Sequence, residues 1–217
     1  MTAPSDLTIE PLTPDRFADV AILFEEGADP KWCWCAYFRV RSVEFSGAAK
    51  ARHRSVLRTA VDEGVAMGRA PGLVAYDGDS AIGWISIGPR EDYERLAHSR
   101  LLAPVDERAV WSIVCFVVAR RARGRGVART LLDVGIAYAR DHGATTLEAY
   151  PIEVDASARI SASDAYRGTL AMFERAGFRE VARRRWNAAT PDRPIVRLEL
   201  ATRRGHRRPA DQQGGGA

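Results

Sequence analysis

The chain has 217 residues, 46% hydrophobic and 28% charged, enough to bury a full core and short enough for one globular domain. No apolar run reaches membrane-spanning length, the N-terminal stretch MTAPSDLTIEPLTPDRF lacks a basic-then-apolar secretory layout, and three cysteines are too few for a disulfide framework. A cytoplasmic protein is expected, and a net charge of +4 does not by itself point to nucleic acid.

In chain order, LTIEPL alternates apolar and polar positions like a first strand, after which Thr13 can cap a helix with Pro14 in its first turn. Phe17, Val20, Ala21 and Phe24 give that helix one apolar face, and Gly27 ends it. DPKWCWCAYFR, residues 29–39, then alternates Trp32, Cys33, Trp34 and Cys35. One residue separates these cysteines, no second pair completes a zinc site, and His53, His98 and His142 are scattered without ligand spacing. A redox motif spaces its cysteines by two residues at a helix start. Neither a metal nor such a motif is expected.

A second helix is predicted over residues 47–65, with Val56, Leu57, Ala60, Val61 and Val65 at helical spacing. GLVAY and SAIGWISI read as two strands joined across Asp77-Gly78, a hairpin signal. Residues 89–109 form a polar connection with one helical segment. VWSIVCFVVA, residues 110–119, is a near-continuous apolar run, as for a strand buried on both faces. Cys115 inside it reads as a small core residue.

RRARGRGVA follows directly, and its Val127 joins Leu131, Val134 and Tyr138 of RTLLDVGIAYARDHG on one helical face, closing at Gly143. TTLEAY reads as the next strand, so strand, glycine turn, helix and strand make a parallel crossover. SDAYRGTLAMFERAGF is predicted as a helix, and REVARRRWN and PIVRLELA as closing strands. Residues 1–201 are expected to form the single domain, with residues 202–217 a disordered basic, glycine-rich tail.

The turn Arg123-Gly124-Arg125-Gly126-Val127-Ala128 lies between a buried strand and the first turn of a helix. Such a place exposes unpaired N–H groups at the positive end of the helix dipole, and glycine lets a bulky anion approach the backbone. Arg120, Arg121, Arg123, Arg125 and Arg129 add charged donors, so the natural occupant is a phosphate or pyrophosphate. The Gly-Lys-Ser/Thr ending of a nucleoside-triphosphate loop is absent, and Arg129 stands where the dinucleotide fingerprint needs its third glycine or alanine. The other readings are a basic glycine turn that merely ends a strand and an arginine-glycine stretch, Arg120 to Arg129, that touches nucleic acid; disordered arginine-glycine motifs come in polar surroundings, whereas core-forming elements flank this one.

These residues resemble the GNAT superfamily of acyl-coenzyme A-dependent N-acetyltransferases. The family's pyrophosphate loop, Gln/Arg-x-x-Gly-x-Gly/Ala, is matched by Arg123, Gly126 and Ala128, followed by the usual Leu131-Leu132 pair. Arg121, Gly124 and Gly126 match in a second frame. The resemblance extends to MFERAGF, residues 172–178, similar to the family's helix ending in Gly-Phe, and in element order covers roughly residues 7–200.

The fold implied is α/β (α+β): a mixed, mostly antiparallel sheet of about seven strands with one parallel splayed pair and helices on both faces. The activity implied is direct attack of a primary amine on the thioester of acetyl-CoA, a cosubstrate, with no metal. The strand 110–118 would splay from 145–150 to admit the cofactor arm, pairing it with backbone groups of Phe116, Val117 and Val118. Gly124, Arg125, Gly126, Val127, Ala128, Arg123 and Arg129 would hold the pyrophosphate, and the Val118 N–H would face the oxyanion. Phe173 stands on the cofactor side where many relatives place a proton-donating tyrosine, and Tyr166 lies seven residues away on the same predicted helix.

Glu148 is the candidate general base, because charge inside a buried strand is costly without a role; pairing with an arginine is the other reading. Trp32, Trp34, Tyr37 and Phe38 fall where the resembled fold covers the acceptor end of the cleft, so they are expected as an aromatic acceptor wall, or else as a satellite core. The acceptor implied is a small-molecule or protein amine, without nucleic-acid or membrane partners, and a homodimer is compatible with it. A non-catalytic acyl-CoA sensor is the alternative, since the tyrosine is missing.

Overall fold

A computed structural model describes residues 7–26, 30–46, 49–153, 166–185, 187 and 192–201. Gly27, residues 163–165 of the predicted late helix and the expected tail 202–217 lie outside these.

Seven strands form one sheet in the order β1-β2-β3-β4-β5-β7-β6. β1 (Leu7–Pro11), β2 (Gly72–Asp77), β3 (Ser80–Pro89) and β4 (Trp111–Val118) are paired antiparallel in succession. β5 (Thr146–Ala149) then lies parallel to β4, and β7 (Arg193–Glu199) antiparallel to β5, with β6 (Arg179–Arg184) at the edge. The β2–β3 hairpin turns on Gly78 and Asp79, since Asp77 pairs with Ser80, one position beyond the dipeptide expected from the sequence.

The parallel step requires a crossover, supplied by α5 (Val127–Asp141). Its buried positions, Val127, Leu131, Leu132, Gly135 and Ala139, run along one helical face against β2, β3 and β4, while Val134 falls at the solvent edge. The opposite face of the sheet takes α1 (Phe17–Glu25), whose Phe24 meets Trp84 of β3 edge-on at 6.2 Å. Helices on both faces explain why β3 is buried from Ala81 to Gly88 without alternation.

α2 (Pro30–Cys33) and α3 (Lys50–Ala66) complete the first half. α3 buries His53, Leu57, Val61 and Gly64, and Val65, expected on that face, is 60% exposed. The 89–109 connection contains the short α4 (Glu94–Ala97). The late helix is much shorter than predicted: α6 spans Leu170–Arg175, with the Thr169 hydroxyl accepting from the Met172 N–H. Gly168 is the reason. Its φ of +74° breaks helical geometry, and an added Cβ would come within 2.7 Å of Met172 Cε and 3.0 Å of the Phe173 ring. Tyr166 therefore lies in a turn before α6, not on it.

Candidate functional site

β4 outruns its parallel partner. Pairing with β5 covers Trp111–Leu147, Ser112–Glu148 and Ile113–Ala149, and stops there, while β4 continues to Val118. A gap follows on the β5 side of residues 114–118. The Ala119 N–H donates to Ile82 O of β3 at 2.9 Å, whereas the Phe116 N–H donates away from β3, to Tyr166 O at 2.6 Å. By strand alternation the backbone groups of Phe116 and Val118 face the gap and those of Val117 face β3. Val117, expected to pair with a cofactor arm, is thus turned the wrong way, and the carbonyl of Tyr166 occupies one of the positions the arm would take.

At the end of β4 the chain turns through Arg120–Ala122 into the glycine loop. Gly124 and Gly126 have φ of +75° and +82°, and a Cβ at either would meet nothing within 4 Å. The space above them is open, as a bulky anion requires. Gly126 is the N-cap of α5, no side chain caps that end, and no acidic residue stands in its first turn. The orphan N–H groups and the positive dipole end are thus left for an external acceptor. Residues Gly124 to Ala128 fit a pyrophosphate on these grounds.

The arginines are deployed unevenly. Arg123 Nε donates to Val118 O at 3.3 Å, folding the loop back onto the end of β4. Arg125 pairs with Asp77 at 2.8 Å and Arg129 with Asp133 at 2.9 Å, one turn along α5. Arg121 pairs with Glu26 and donates to Ala81 O. These are exposed pairs worth little in themselves, so their guanidinium groups can exchange a carboxylate for a phosphate at small cost.

Glu148 has a different setting from the one a base needs. Its side chain is 0% exposed. Oε1 takes Arg90 Nη1 at 2.9 Å and the Tyr150 hydroxyl at 2.7 Å, and Oε2 takes Arg197 Nε at 2.8 Å. Arg197 continues to Asp106 at 2.7 Å, and the Tyr150 oxygen meets Ser112 Oγ at 2.9 Å. Both carboxylate oxygens are committed to ion pairs and hydrogen bonds, the second of the two readings that the sequence leaves open. Burial, then the neighbouring Glu148 charge, holds the Tyr150 phenol well above its usual range.

Phe173 is fully buried, edge-on to Phe116 at 6.1 Å and to Phe178 at 5.1 Å. It packs the core beneath the gap, and its side chain offers no surface to a cofactor.

The four aromatic residues expected as a wall divide. Trp34 is 0% exposed, stacked on Phe17 at 6.1 Å and edge-on to Phe24 at 5.5 Å, with Nε1 donating to Lys31 O at 3.0 Å. It is a core residue and does not line a cleft. Trp32 is 48% exposed, with the Lys31 ammonium 5.2 Å from its ring. Phe38 and the half-buried Tyr37 pack in a cluster with Val114 of β4 and Tyr150 just past β5, one residue from each side of the diverging pair. These two border the gap. The sequence supplies no periodicity in this irregular segment to separate inward from outward rings.

Among the described residues no group of three or more His, Cys, Asp or Glu side chains is arranged to hold a metal ion, and no helix is long and apolar enough to cross a membrane. A cavity of about 320 Å³ is lined by Arg100, Leu101, Arg184 and Arg185, none of them an expected site residue.

Residues 34–178 match the sequence profile of the Acetyltransferase (GNAT) family. None of the curated proteins matches the chain. Among solved structures, a GNAT-family protein from Desulfovibrio desulfuricans is similar at 21% identity and a TM-score of 0.52, over 90% of this chain and 100% of the other. The histone acetyltransferase HPA2 and related acetyltransferase from Corynebacterium glutamicum is similar at 17% identity and a TM-score of 0.55, over 91% and 98%. A chain of the NatC complex bound to Gag peptide and CoA is similar at 18% identity and a TM-score of 0.52, over 90% and 99%.

Proposed function

The chain belongs to the GNAT acetyltransferase family, and on that premise we propose that it is an N-acetyltransferase moving an acetyl group from acetyl-CoA to a primary amine of a small molecule or protein. The observation that carries this reading is the divergence of β4 from β5 after Ile113–Ala149, leading straight into an uncapped helix start at Gly126. A gap with inward backbone donors and an anion cradle at its end suits a ligand with a diphosphate at one end and an amide-rich arm.

In this reading the N–H groups of Gly124 to Ala128 hold the pyrophosphate, assisted by Arg123, Arg125 and Arg129. Phe116 and Val118 hydrogen-bond the arm through their gap-facing groups. Acetyl-CoA supplies an activated thioester when bound. The Val118 N–H then faces the oxygen that gains charge as the amine attacks, a preorganised donor where it is worth most. Binding exchanges the Phe116–Tyr166 hydrogen bond for one to the ligand, so the Tyr166–Thr169 turn must shift.

The attacking amine must be neutral, and a lysine-like amine with pKa about 10.4 is almost wholly protonated at pH 7. Glu148 is engaged by two arginines and serves as the anchor of β5 to β7 through Arg197, so the amine proton passes to solvent. The departing thiolate needs little acid, its thiol having a pKa around 8.5. Phe38 and Tyr37, beside the gap, form the apolar side of the acceptor entrance, and the exposed Trp32 is its outer edge. The protein is read as cytoplasmic, with residues 1–201 as one catalytic domain.

A second reading, a non-catalytic acyl-CoA sensor, is favoured by the buried Phe173 and the engaged Glu148, which leave neither usual proton carrier in place. The two separate on one assay: acetyl-CoA is mixed with the chain and a panel of amines, and free thiol is followed. Amine-dependent thiol release supports the enzyme; binding without release supports the sensor.

A further inference from the structure

Cys35 and Cys115, eighty positions apart, meet beside β4. Trp34 and Cys35 both take left-handed backbone angles, φ +48° and +51°. Such a conformation costs a non-glycine residue roughly 1–3 kcal/mol and persists where the surroundings enforce it. Here it turns the buried Cys35 so that its Sγ accepts a hydrogen bond from Trp84 Nε1 at 3.0 Å.

Trp84 stands opposite Val117 in the β3–β4 ladder, and the next pair on the same face is Ser86–Cys115. Cys115 is therefore the diagonal neighbour of the indole that holds Cys35. The Cys115 thiol donates to Phe116 O at 3.9 Å, and the neighbouring Cys35 sulfur, together with burial, holds it well above the usual thiol range. Val114, immediately before Cys115, has no partner in the ladder, because β3 passes from Ser86 to Ile87 while β4 passes from Cys115 to Ile113. A bulge at that point lets the strand yield locally.

We propose that Cys35 and Cys115 are an oxidisable dithiol that closes into a disulfide, tying the 30–46 loop to β4. With hydrogen peroxide as oxidant, the Cys35 sulfur, oriented by the indole N–H, attacks one peroxide oxygen and becomes a sulfenic acid as the O–O bond breaks and its thiol proton leaves with the hydroxide as water. The Cys115 sulfur then attacks the Cys35 sulfur, and the hydroxyl departs as a second water. Two thiols lose two electrons, one peroxide is reduced to two waters, and both thiol protons end in water. The tether is fixed one residue before Phe116, so it stiffens the stretch of β4 whose Phe116 N–H must pass from Tyr166 O to the ligand as the cofactor enters. That consequence rests on the acetyltransferase reading; the disulfide itself does not.

The full chain is treated with increasing hydrogen peroxide under native conditions, the remaining thiols are alkylated, and linked peptides are mapped by mass spectrometry. The expected product is an intramolecular Cys35–Cys115 link, reversed by dithiothreitol, with Cys33 alkylated. Cys33→Ser should retain the link. Cys115→Ser should abolish it and leave a Cys35 sulfenic acid trapped by dimedone, and Cys35→Ser should abolish it independently. A link through Cys33, only intermolecular links, or no link at peroxide doses that oxidise the guanidinium-unfolded chain would overturn the proposal. Acetyl transfer by the oxidised chain should fall roughly tenfold or more and return on reduction; a mapped link with undiminished transfer would overturn the inhibitory role while leaving the disulfide.

Discussion

Arg197 Nε donates to Glu148 Oε2 at 2.8 Å, with both side chains withdrawn from water, 3% and 0% exposed. The pair joins β7 to β5, and Arg90 closes the other oxygen from the start of the 89–109 connection. A buried ion pair costs much to desolvate, but removing one partner leaves an uncompensated charge, typically a loss of about 3–5 kcal/mol.

Glu148→Gln should therefore lower the unfolding free energy by about 3–5 kcal/mol and the denaturant midpoint with it, because it leaves Arg90 without a carboxylate and Arg197 with Asp106 alone. Whatever folded enzyme remains should keep the shape of its pH–rate profile. An unchanged midpoint together with a displaced profile would restore Glu148 as the base.

Trp34 and Trp32 should respond in opposite ways. Trp34→Ala empties a fully buried site and should cost about 3–5 kcal/mol of stability. Trp32→Ala should stay within about 0.5 kcal/mol of the parent and act on acceptor KM. A stable Trp34→Ala chain with weakened acceptor binding would return that ring to the acceptor wall.

Alkaline stability follows from the tyrosines. Burial is the leading cause that pushes the Tyr93 phenol up to about 12, and it also raises Tyr150, Tyr138 and Tyr76. A raised folded-state pKa contributes stability that is intact below the unfolded value near 10 and drains away as pH climbs towards 12. The denaturant midpoint should fall steeply from about pH 10 upward. Phenolate absorbance should rise together with unfolding; full tyrosine ionisation in a chain still folded at pH 10.5 would contradict it.

Much of the fold is written locally. The unbroken apolar run of β4, the two glycines after it, the apolar face of α5 and the β5 run that follows specify a parallel crossover without knowledge of any other element. The long-range parts of the site are not written that way. Glu148 finds Arg90 and Arg197 from 58 and 49 positions away, so the sequence marks it as a costly buried charge and is silent on its partners. Gly168 sits inside an otherwise helical pattern and breaks it with a φ of +74°; of the neighbours a Cβ there would meet, the Phe116 ring at 3.4 Å comes from β4, which the local pattern does not show. Trp32 and Trp34 share one irregular segment, and two left-handed residues decide which ring turns inward.

The glycine loop permits a graded test. Gly126→Ala should fold with a penalty of roughly 1–2 kcal/mol for its left-handed φ and weaken coenzyme A binding, while Gly126→Asp should remove binding by placing a carboxylate where the pyrophosphate rests. Equal affinity in all three chains would detach the loop from the cofactor.

Calorimetric titration with acetyl-CoA, coenzyme A and adenosine diphosphate decides whether the gap beside β4 takes the cofactor. Saturable binding of both coenzyme A forms, with adenosine diphosphate weaker because it lacks the arm that pairs with Phe116 and Val118, is the predicted result. No heat of binding from either coenzyme A form by a folded chain would mean that the gap between β4 and β5 does not receive this cofactor, and the acetyltransferase reading would fall with it.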